Sequence, residues 1–213
     1  QTILFPGSAS DDEPRAHLWS SGRVALAAGL LLVLAGWLMF SHLNYPLVEP
    51  DESRYAQVAL EMLDTGDYLI PRLQGEPYLD KPPLLYWTTA ASFHLFGRTE
   101  MAARFPAALA ATLTVLVCFL LGRRLVGDPV AWLGSLLLFL CLGFVLSSRF
   151  LIMDGPLTLF TTTCLLSALL ATRATRLKPG WWLVSAVACA LGVMTKGPIA
   201  IVLTCPALLA IHW

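Results

Sequence analysis

The stretch YPLVEPDESRYAQVALEMLDTGDYLIPRLQGEPYLDKPP, from Tyr45 to Pro83, is the polar part of an otherwise apolar chain. It holds eight of the fourteen acidic residues of the sequence. One apolar run precedes it, and a series of apolar runs follows it. Because functional residues concentrate in loops held by a rigid scaffold, this stretch is where we expect a chemical site to form.

The composition indicates an integral membrane protein. Hydrophobic residues make up 57% of the 213 residues and charged residues only 13%, where a soluble domain carries roughly 25% charged residues. The formal net charge is zero, which gives no reason to expect a nucleic-acid partner. All five cysteines fall inside apolar runs without a CxxC pair, as expected of buried apolar side chains.

Six apolar runs without a charged residue predict six transmembrane helices. The first run, Val24–Phe40, is long for the apolar region of a signal peptide, and SHLNYP after it is no small-residue cleavage site. We therefore expect this helix to be retained in the membrane. The other runs are Phe105–Gly122, Pro129–Ser148, Gly155–Thr172, Trp181–Thr195 and Gly197–Trp213.

Two shorter helices are predicted at the membrane surface, inside the polar stretch and directly after it. Asp51–Leu63 follows Pro50, can be capped by Asp51 and is followed by Gly66. Leu84–Phe96 is too short to span a bilayer and is rich in aromatic residues of the kind found at membrane interfaces. The apolar stripe of the first helix consists of Tyr55, Val58, Ala59, Met62 and Leu63.

These elements predict an all-α, polytopic helical bundle of about six transmembrane helices, with two interfacial helices in the first outer loop. Residues 1–23 form a polar tail, residues 24–213 the membrane domain and residues 44–99 the outer loop. The sequence begins without Met and ends inside an apolar run. We therefore expect the membrane domain to continue in a longer protein.

The basic residues predict which side of the membrane each loop occupies. Alternating the six spans places the short, basic segments 1–23, 123–128 and 173–180 on one side, which the positive-inside rule makes cytoplasmic. The loop 44–99 and the turns after the third and fifth spans then lie on the outer side. Six charged residues from separate segments share that side: Asp51, Glu52, Arg54, Lys81, Asp154 and Lys196.

Each of these polar clusters also has a purely structural interpretation. Acids such as Asp51 stabilise the positive end of a helix wherever they occur there. Asp80 and Lys81 can form a surface ion pair before a helix start that Pro83 fixes. The turns MDGP and TKGP contain the Gly and Pro residues that turns need in any case.

Four motifs together indicate a function: PDESRY at Pro50–Tyr55, KPPLLYW at Lys81–Trp87, MDGPL at Met153–Leu157 and TKGP at Thr195–Pro198. Their order and spacing resemble the polytopic GT-C glycosyltransferases, in the branch that contains the protein O-mannosyltransferases and the aminoarabinose transferases of lipid A. The resemblance covers most of the chain after residue 24. It implies an enzyme that moves a sugar from a polyprenyl-phosphate carrier to a lipid, protein or glycan acceptor on the outer face of the membrane.

The resemblance also implies roles for three acidic residues. Asp51 is the candidate base that takes the proton of the acceptor, a task for which carboxylates are common. Glu52 would help to shape the same catalytic site. Asp154 is the second acid marked by the motifs, and it would position the acceptor or stabilise positive charge on the sugar ring.

The resemblance assigns the carrier phosphate to basic and tyrosine side chains. The negative charge of the leaving phosphate requires a nearby cation, for which Lys81 is the candidate with Arg54 behind it. Tyr55 and Tyr78 would add hydroxyl contacts. Lys196 is a further candidate for phosphate binding.

No cofactor is predicted, although a divalent cation is possible. Some members of the family that the motifs resemble bind such a cation through the acid that precedes the KPP lysine, and Asp80 occupies that place here. The partner ligand would have to lie beyond Trp213. We therefore expect no metal to be bound by these residues alone.

Two other classes of function fit the sequence less well. A transporter or flippase needs a polar path through its helices, and the apolar runs carry no charged residue. A non-catalytic or truncated membrane module would keep the outer loop without turnover.

The lack of a Gly-rich phosphate loop argues against a nucleotide-sugar donor. The Ala- and Leu-rich spans favour a bacterial inner membrane, with the loop on the periplasmic side.

Overall fold

The structure is a computed structural model, and it describes residues 19–174 and 177–212. Within these residues it contains nine α-helices and one short β-hairpin. Most of the predicted tail, residues 1–23, lies outside the described part of the chain. The elements are α1 (Ser21–Phe40), α2 (Asp51–Thr65), β1 (Arg72–Leu73), β2 (Glu76–Pro77), α3 (Leu84–Phe96), α4 (Glu100–Val126), α5 (Asp128–Leu140), α6 (Leu142–Ser148), α7 (Asp154–Thr172), α8 (Pro179–Lys196) and α9 (Ile199–His212).

Helix α1 has the surface of a helix that lipid surrounds. It begins earlier than the predicted run because the Ser20 hydroxyl caps it, accepting a hydrogen bond from the Arg23 amide at 3.5 Å. Its side chains are apolar on all sides, and some large ones stay exposed: Trp37 has 73% of its area exposed. One face packs against α4, and the buried residues on it are spaced four apart: Ala27, Leu31, Ala35 and Met39.

Helix α4 is the centre of the bundle and contacts α1, α3, α5 and α7. Its buried face is rich in alanine, so the neighbouring backbones can approach closely. The closest approach is to Gly155 at the start of α7, where an added Cβ would lie 3.3 Å from the carbonyl oxygen of Ala107. Six alanines of α4 are buried: Ala102, Ala103, Ala107, Ala108, Ala110 and Ala111.

Among the described residues, three helices are long and apolar enough to cross a membrane, namely α1, α4 and α7. Helices α5 and α6 together pass the same test, which makes four if this pair is one span. Helices α8 and α9 form where the last two spans were predicted, but they do not meet these criteria. Six spans therefore remain a prediction, while the all-α membrane bundle is confirmed.

The third predicted span is not one straight helix, and here the prediction was wrong. Its axis bends by 63° between α5 and α6. Cys141 lies at the break with an extended backbone, φ −68° and ψ 114°, which ends the helical hydrogen bonding. Nothing in the residue types around Cys141 explains the position of the bend.

The outer loop, residues 44–99, forms a small layer on one end of the bundle, which we call the outer face. Helix α2 buries its apolar stripe against α3, as its periodicity predicts. It ends at Gly66, whose φ of 69° suits glycine. Glu61 of α2 holds the hairpin by accepting hydrogen bonds from the Gln74 amide at 2.7 Å and the Gly75 amide at 3.1 Å. An Asp64–Arg98 ion pair ties the end of α2 to the residues after α3.

Candidate active site

Five of the predicted residues form a connected line at the outer face, which we call the outer row: Asp51, Arg54, Tyr78, Asp80 and Lys81. Asp51 is the first residue of α2, and its Oδ1 lies 3.7 Å from Arg54 Nη1, one helical turn further along. The side chain of Tyr78 is also close to Arg54, and this interaction raises the pKa of the Arg54 guanidinium above the ordinary value.

The second half of the outer row comes from the segment between the hairpin and α3. The Tyr78 hydroxyl donates to Asp80 Oδ2 at 3.4 Å, and Lys81 Nζ lies 3.5 Å from the same oxygen. Pro82 and Pro83 follow at once and lead into α3, so the path of this segment is restricted. The Lys81 side chain is 35% exposed and that of Asp51 is 54% exposed, so both can be reached by a ligand.

Three tyrosine rings pack together beside the outer row. The centroid of the Tyr86 ring lies 5.9 Å from that of Tyr55 and 6.5 Å from that of Tyr78. Burial raises the pKa of Tyr86 far above its ordinary value and also raises the pKa of Tyr55. Both hydroxyls therefore keep their protons at neutral pH and remain hydrogen-bond donors.

Asp154 and Lys196 are paired with each other. Lys196 Nζ lies 2.5 Å from Asp154 Oδ1, and both side chains are partly exposed. Asp154 is the first residue of α7 and Lys196 the last residue of α8, so each charge also suits the dipole of its own helix. The sequence predicted an acid and a phosphate-binding cation here, and it did not anticipate that the two neutralise each other.

The turn before α9 lies next to the outer row. A Cβ added at Gly197 would lie 4.0 Å from Pro82 Cγ, and the φ of Gly197 is +76°. The turn before α7 is joined to the start of α2 by a hydrogen bond of 2.6 Å from the Leu151 amide to Glu52 Oε1. The structure thus brings all four motifs to one face of the protein.

Glu52 faces the interior of the protein, and only 2% of its surface is exposed. Its Oε1 accepts from Arg104 Nε at 2.9 Å, and its Oε2 accepts from Arg104 Nη2 at 2.7 Å and from the Val48 amide at 2.8 Å. With the Leu151 amide, both carboxylate oxygens are engaged. These contacts indicate that Glu52 positions the loop, and a direct part in catalysis stays a prediction.

Arg104 was missed by the sequence reasoning, although it holds this region together. It is fully buried on α4 and donates to the carbonyl oxygens of Leu43, Tyr45 and Pro46 at 2.8, 2.6 and 3.0 Å. Its guanidinium carbon also lies 3.6 Å from the centroid of the Tyr45 ring. The sequence did contain a signal for this role, since Arg104 is a single arginine that follows alanines at the start of an apolar run.

The described residues contain no group of three or more His, Cys, Asp or Glu side chains placed to hold a metal ion. Asp80, the candidate ligand, has the Lys81 ammonium beside its carboxylate. A single carboxylate paired with a cation does not form a metal site by itself.

An apolar groove of about 330 Å³ lies between α3, α4 and α7. It begins at Leu84 and Leu85, directly after the KPP segment of the outer row. Its lining is almost entirely hydrocarbon, which suits an aliphatic chain. Further along the groove the wall includes Ala91, Leu95, Phe105, Leu109 and Phe160.

Comparison with known proteins supports the resemblance to glycosyltransferases. A family model described as dolichyl-phosphate-mannose-protein mannosyltransferase matches residues 21–213. The undecaprenyl phosphate-alpha-4-amino-4-deoxy-L-arabinose arabinosyl transferase of Edwardsiella ictaluri is 35% identical over 170 residues, covering 78% of this chain and 30% of that protein. The similarly named transferase 1 of Pseudomonas fluorescens Pf0-1 is 32% identical over 215 residues, covering 100% of this chain and 36% of that protein.

A solved structure shares the fold. The crystal structure of ArnT from Cupriavidus metallidurans bound to undecaprenyl phosphate superposes with a TM-score of 0.77 at 28% identity, covering 92% of this chain and 37% of that one. The chain thus spans 30% to 36% of the length of these two curated relatives. The GT-C glycosyltransferase resemblance is confirmed, and the chain belongs to the dolichyl-phosphate-mannose-protein mannosyltransferase family.

Proposed function

We propose that this chain forms the outer-face part of a glycosyltransferase that moves a sugar from a polyprenyl-phosphate carrier to a lipid, protein or glycan acceptor. The observation that carries the proposal is the outer row, which places the accessible carboxylate of Asp51 and the cations Arg54 and Lys81 next to an apolar groove. The substrate needs a cation for its phosphate, a carboxylate beside its sugar and an apolar surface for its long hydrocarbon chain.

The reaction forms one bond and breaks another. The acceptor oxygen bonds to the anomeric carbon of the sugar, and the bond from that carbon to the phosphate oxygen breaks with its electron pair going to the phosphate. Where the acceptor is a hydroxyl, Asp51 takes its proton. Asp51 suits this role because its carboxylate lies 3.7 Å from Arg54 and is open to solvent.

The cations of the outer row act on the leaving group. As the bond to the sugar breaks, negative charge grows on the carrier phosphate, and Lys81 and Arg54 stabilise that charge. Arg54 lies 3.7 Å from Asp51, one helical turn away, so its guanidinium is on the same side of α2 as the candidate base. Tyr55 lies next to the same site and adds a hydroxyl that stays protonated.

The hydrocarbon chain of the carrier is placed in the groove between α3, α4 and α7. The groove starts three residues after Lys81, so a phosphate on Lys81 would direct its chain towards Leu84. Burial of an isoprenoid chain would supply much of the affinity for the donor.

Asp154 is proposed to position the acceptor or the sugar from the other side of the site. Its carboxylate lies 2.5 Å from the ammonium group of Lys196. In this arrangement Lys196 contacts the phosphate only if a substrate draws it away from Asp154. A positioning role for the pair is therefore the simpler assignment.

The outer face is proposed to be periplasmic, in the inner membrane of a bacterium. Basic residues gather at the opposite end of the bundle, where Arg173 Nη1, directly after α7, donates to the carbonyl of Leu125 at the end of α4. Arg123 and Arg124 lie on the same last turn of α4. This is the distribution that the positive-inside rule associates with the cytoplasm.

The named relatives suggest the substrates to test first. The relatives from Edwardsiella and Pseudomonas are named for undecaprenyl phosphate-alpha-4-amino-4-deoxy-L-arabinose, and the family model is named for dolichyl-phosphate-mannose. We propose the undecaprenyl-linked aminoarabinose as the first donor to assay and the mannose-linked carrier as the second.

The test uses the complete reading frame that contains this chain, purified in lipid nanodiscs. Transfer of labelled sugar from each donor is measured with lipid A, a Ser/Thr-rich protein and a cell-wall glycan as acceptors. Asp51→Asn is expected to abolish transfer, while Glu76→Gln, an exposed acid of the same loop, keeps the wild-type rate. Wild-type transfer by Asp51→Asn would refute the assignment of the base, and the lack of transfer from any lipid-linked donor would refute the proposed function.

A further inference from the structure

Tyr86 combines two properties that rarely occur together. It is fully buried, and among the described residues its hydroxyl has no hydrogen-bond partner. Buried polar groups are nearly always paired, since an unpaired one loses its bonds to water without replacement. A buried hydroxyl left in this state therefore needs a physical explanation.

The surroundings of Tyr86 point to the outer row. Its ring packs edge-on against Tyr78, whose own hydroxyl donates to Asp80. Asp80 and Arg54 both lie close enough to Tyr86 to influence its ionisation, in opposite directions. Tyr86 is thus in ring contact with Tyr78, a member of the outer row proposed to receive the donor phosphate.

We propose that Tyr86 is a positioning residue for the bound donor, and that its hydroxyl gains its hydrogen bond only when the carrier phosphate occupies the outer row. The inference rests on the proposed function. A phosphate held by Lys81 displaces Asp80 from that cation, and Asp80 is the acceptor of the Tyr78 hydroxyl. The Tyr78 hydroxyl then forms a hydrogen bond with the Tyr86 hydroxyl. This bond fixes the Tyr78 ring beside the phosphate.

The energetic consequence is a preference for the bound state. The cost of the unpaired hydroxyl is present in the empty site and disappears when the donor binds. A cost that is removed only by the ligand adds to its apparent affinity, because a ligand shifts an equilibrium by its differential interaction with the two states. Removing the hydroxyl should therefore weaken donor binding without weakening the fold.

Tyr86→Phe separates this role from a structural one. The ring and its packing remain, and only the hydroxyl is lost. We expect the melting temperature of the complete protein to stay unchanged or to rise, since an unsatisfied buried group has been removed. We expect the Kd for sugar-free undecaprenyl phosphate to increase roughly threefold to tenfold, the effect of one net hydrogen bond. The KM for the donor should rise in the same proportion, with kcat less affected.

Thr89→Val is the matched control. Thr89 lies on the same helix as Tyr86, is fully buried and likewise has a hydroxyl without a partner among the described residues. It is not part of the tyrosine group. We expect the melting temperature of Thr89→Val to behave like that of Tyr86→Phe, while its Kd for undecaprenyl phosphate equals that of the wild type.

The outcomes distinguish the two levels of the proposal. If the wild type binds undecaprenyl phosphate and Tyr86→Phe binds it equally well, the role of Tyr86 is refuted. If Tyr86→Phe weakens binding and also lowers the melting temperature, the hydroxyl is structural and the role is also refuted. If the wild type binds neither undecaprenyl phosphate nor dolichyl phosphate, the proposed function fails, and the inference fails with it.

Discussion

Arg104 and Glu52 are both buried and are joined by two hydrogen bonds, of 2.9 Å and 2.7 Å. The same arginine also binds three backbone carbonyls of the loop that precedes α2. The pair thus fixes the position of Asp51, the residue that precedes Glu52. A central helix of the bundle holds the candidate base in place through its neighbour.

Arg104→Leu is expected to lower the free energy of unfolding by about 3–5 kcal/mol, because it leaves the Glu52 carboxylate buried without a counter-charge. The measurement is denaturant unfolding of the complete protein in detergent. Arg98→Leu is the control, since it breaks an exposed ion pair with Asp64 that contributes about 1 kcal/mol or less. Equal losses for the two variants would contradict the importance of the buried pair.

Lys81→Ala is expected to raise the donor KM roughly ten- to a hundredfold, the effect of losing a charged hydrogen bond to phosphate. The assay is initial-rate transfer at varied donor concentration. Lys178→Ala removes a lysine at the opposite end of the bundle and should leave the KM unchanged. An unchanged KM in Lys81→Ala would exclude it from phosphate binding.

Ala91→Trp is expected to fill part of the apolar groove and to weaken donor binding. Exclusion of about two methylene groups, at about 0.8 kcal/mol each, corresponds to roughly a tenfold increase in KM. His94→Trp places the same tryptophan side chain on α3 at a residue that does not line the groove. The proposed chain site would be abandoned if the two variants gave the same KM.

Gly197→Ala is expected to destabilise the protein by about 1–3 kcal/mol, since φ +76° with ψ −151° is a conformation that only glycine adopts readily. The comparison is the melting temperature of Gly134→Ala, a helical position where an added Cβ has nothing within 4 Å. Gly134→Ala should be neutral or slightly stabilising. A neutral Gly197→Ala would show that the TKGP turn does not need its glycine.

Much of the outer layer could be predicted from local sequence. Helix α3 begins and ends at the predicted residues because Pro83 and Gly97 bound it, and the stripe of α2 appears directly in its periodicity. These signals act over a few residues. The pairing of Arg104 with Glu52 joins positions 52 residues apart, and that of Lys196 with Asp154 joins positions 42 apart. No local rule specifies such partners, so both pairs were missed.

The contacts of Glu61 predict that the stability of the hairpin depends on pH. Burial alone would raise the pKa of its carboxyl, but the hydrogen bonds from the amides of Gly75 and Gln74 lower it below the ordinary value of 4.5. The stabilisation is therefore complete above about pH 4.5 and is lost as the pH falls through the lower pKa of the folded state. The protection of the Gln74 and Gly75 amides against hydrogen exchange, relative to the intrinsic exchange rate at each pH, should fall over this range.

Glu61→Gln tests this assignment, because an amide does not titrate. In this variant the exchange of the hairpin amides is expected to change no further with acid than that of an unrelated exposed loop. Persistence of the full acid response would show that another group is responsible.

The contacts of Arg104 also set an order of assembly during synthesis. The carbonyls that it binds belong to residues 58 to 61 positions earlier in the chain, and α2, the hairpin and α3 lie between. Because these elements are synthesised before Arg104, they leave the ribosome without the contacts that hold them in the folded protein. The outer loop is therefore completed only after the first helix that follows it in the chain has been made.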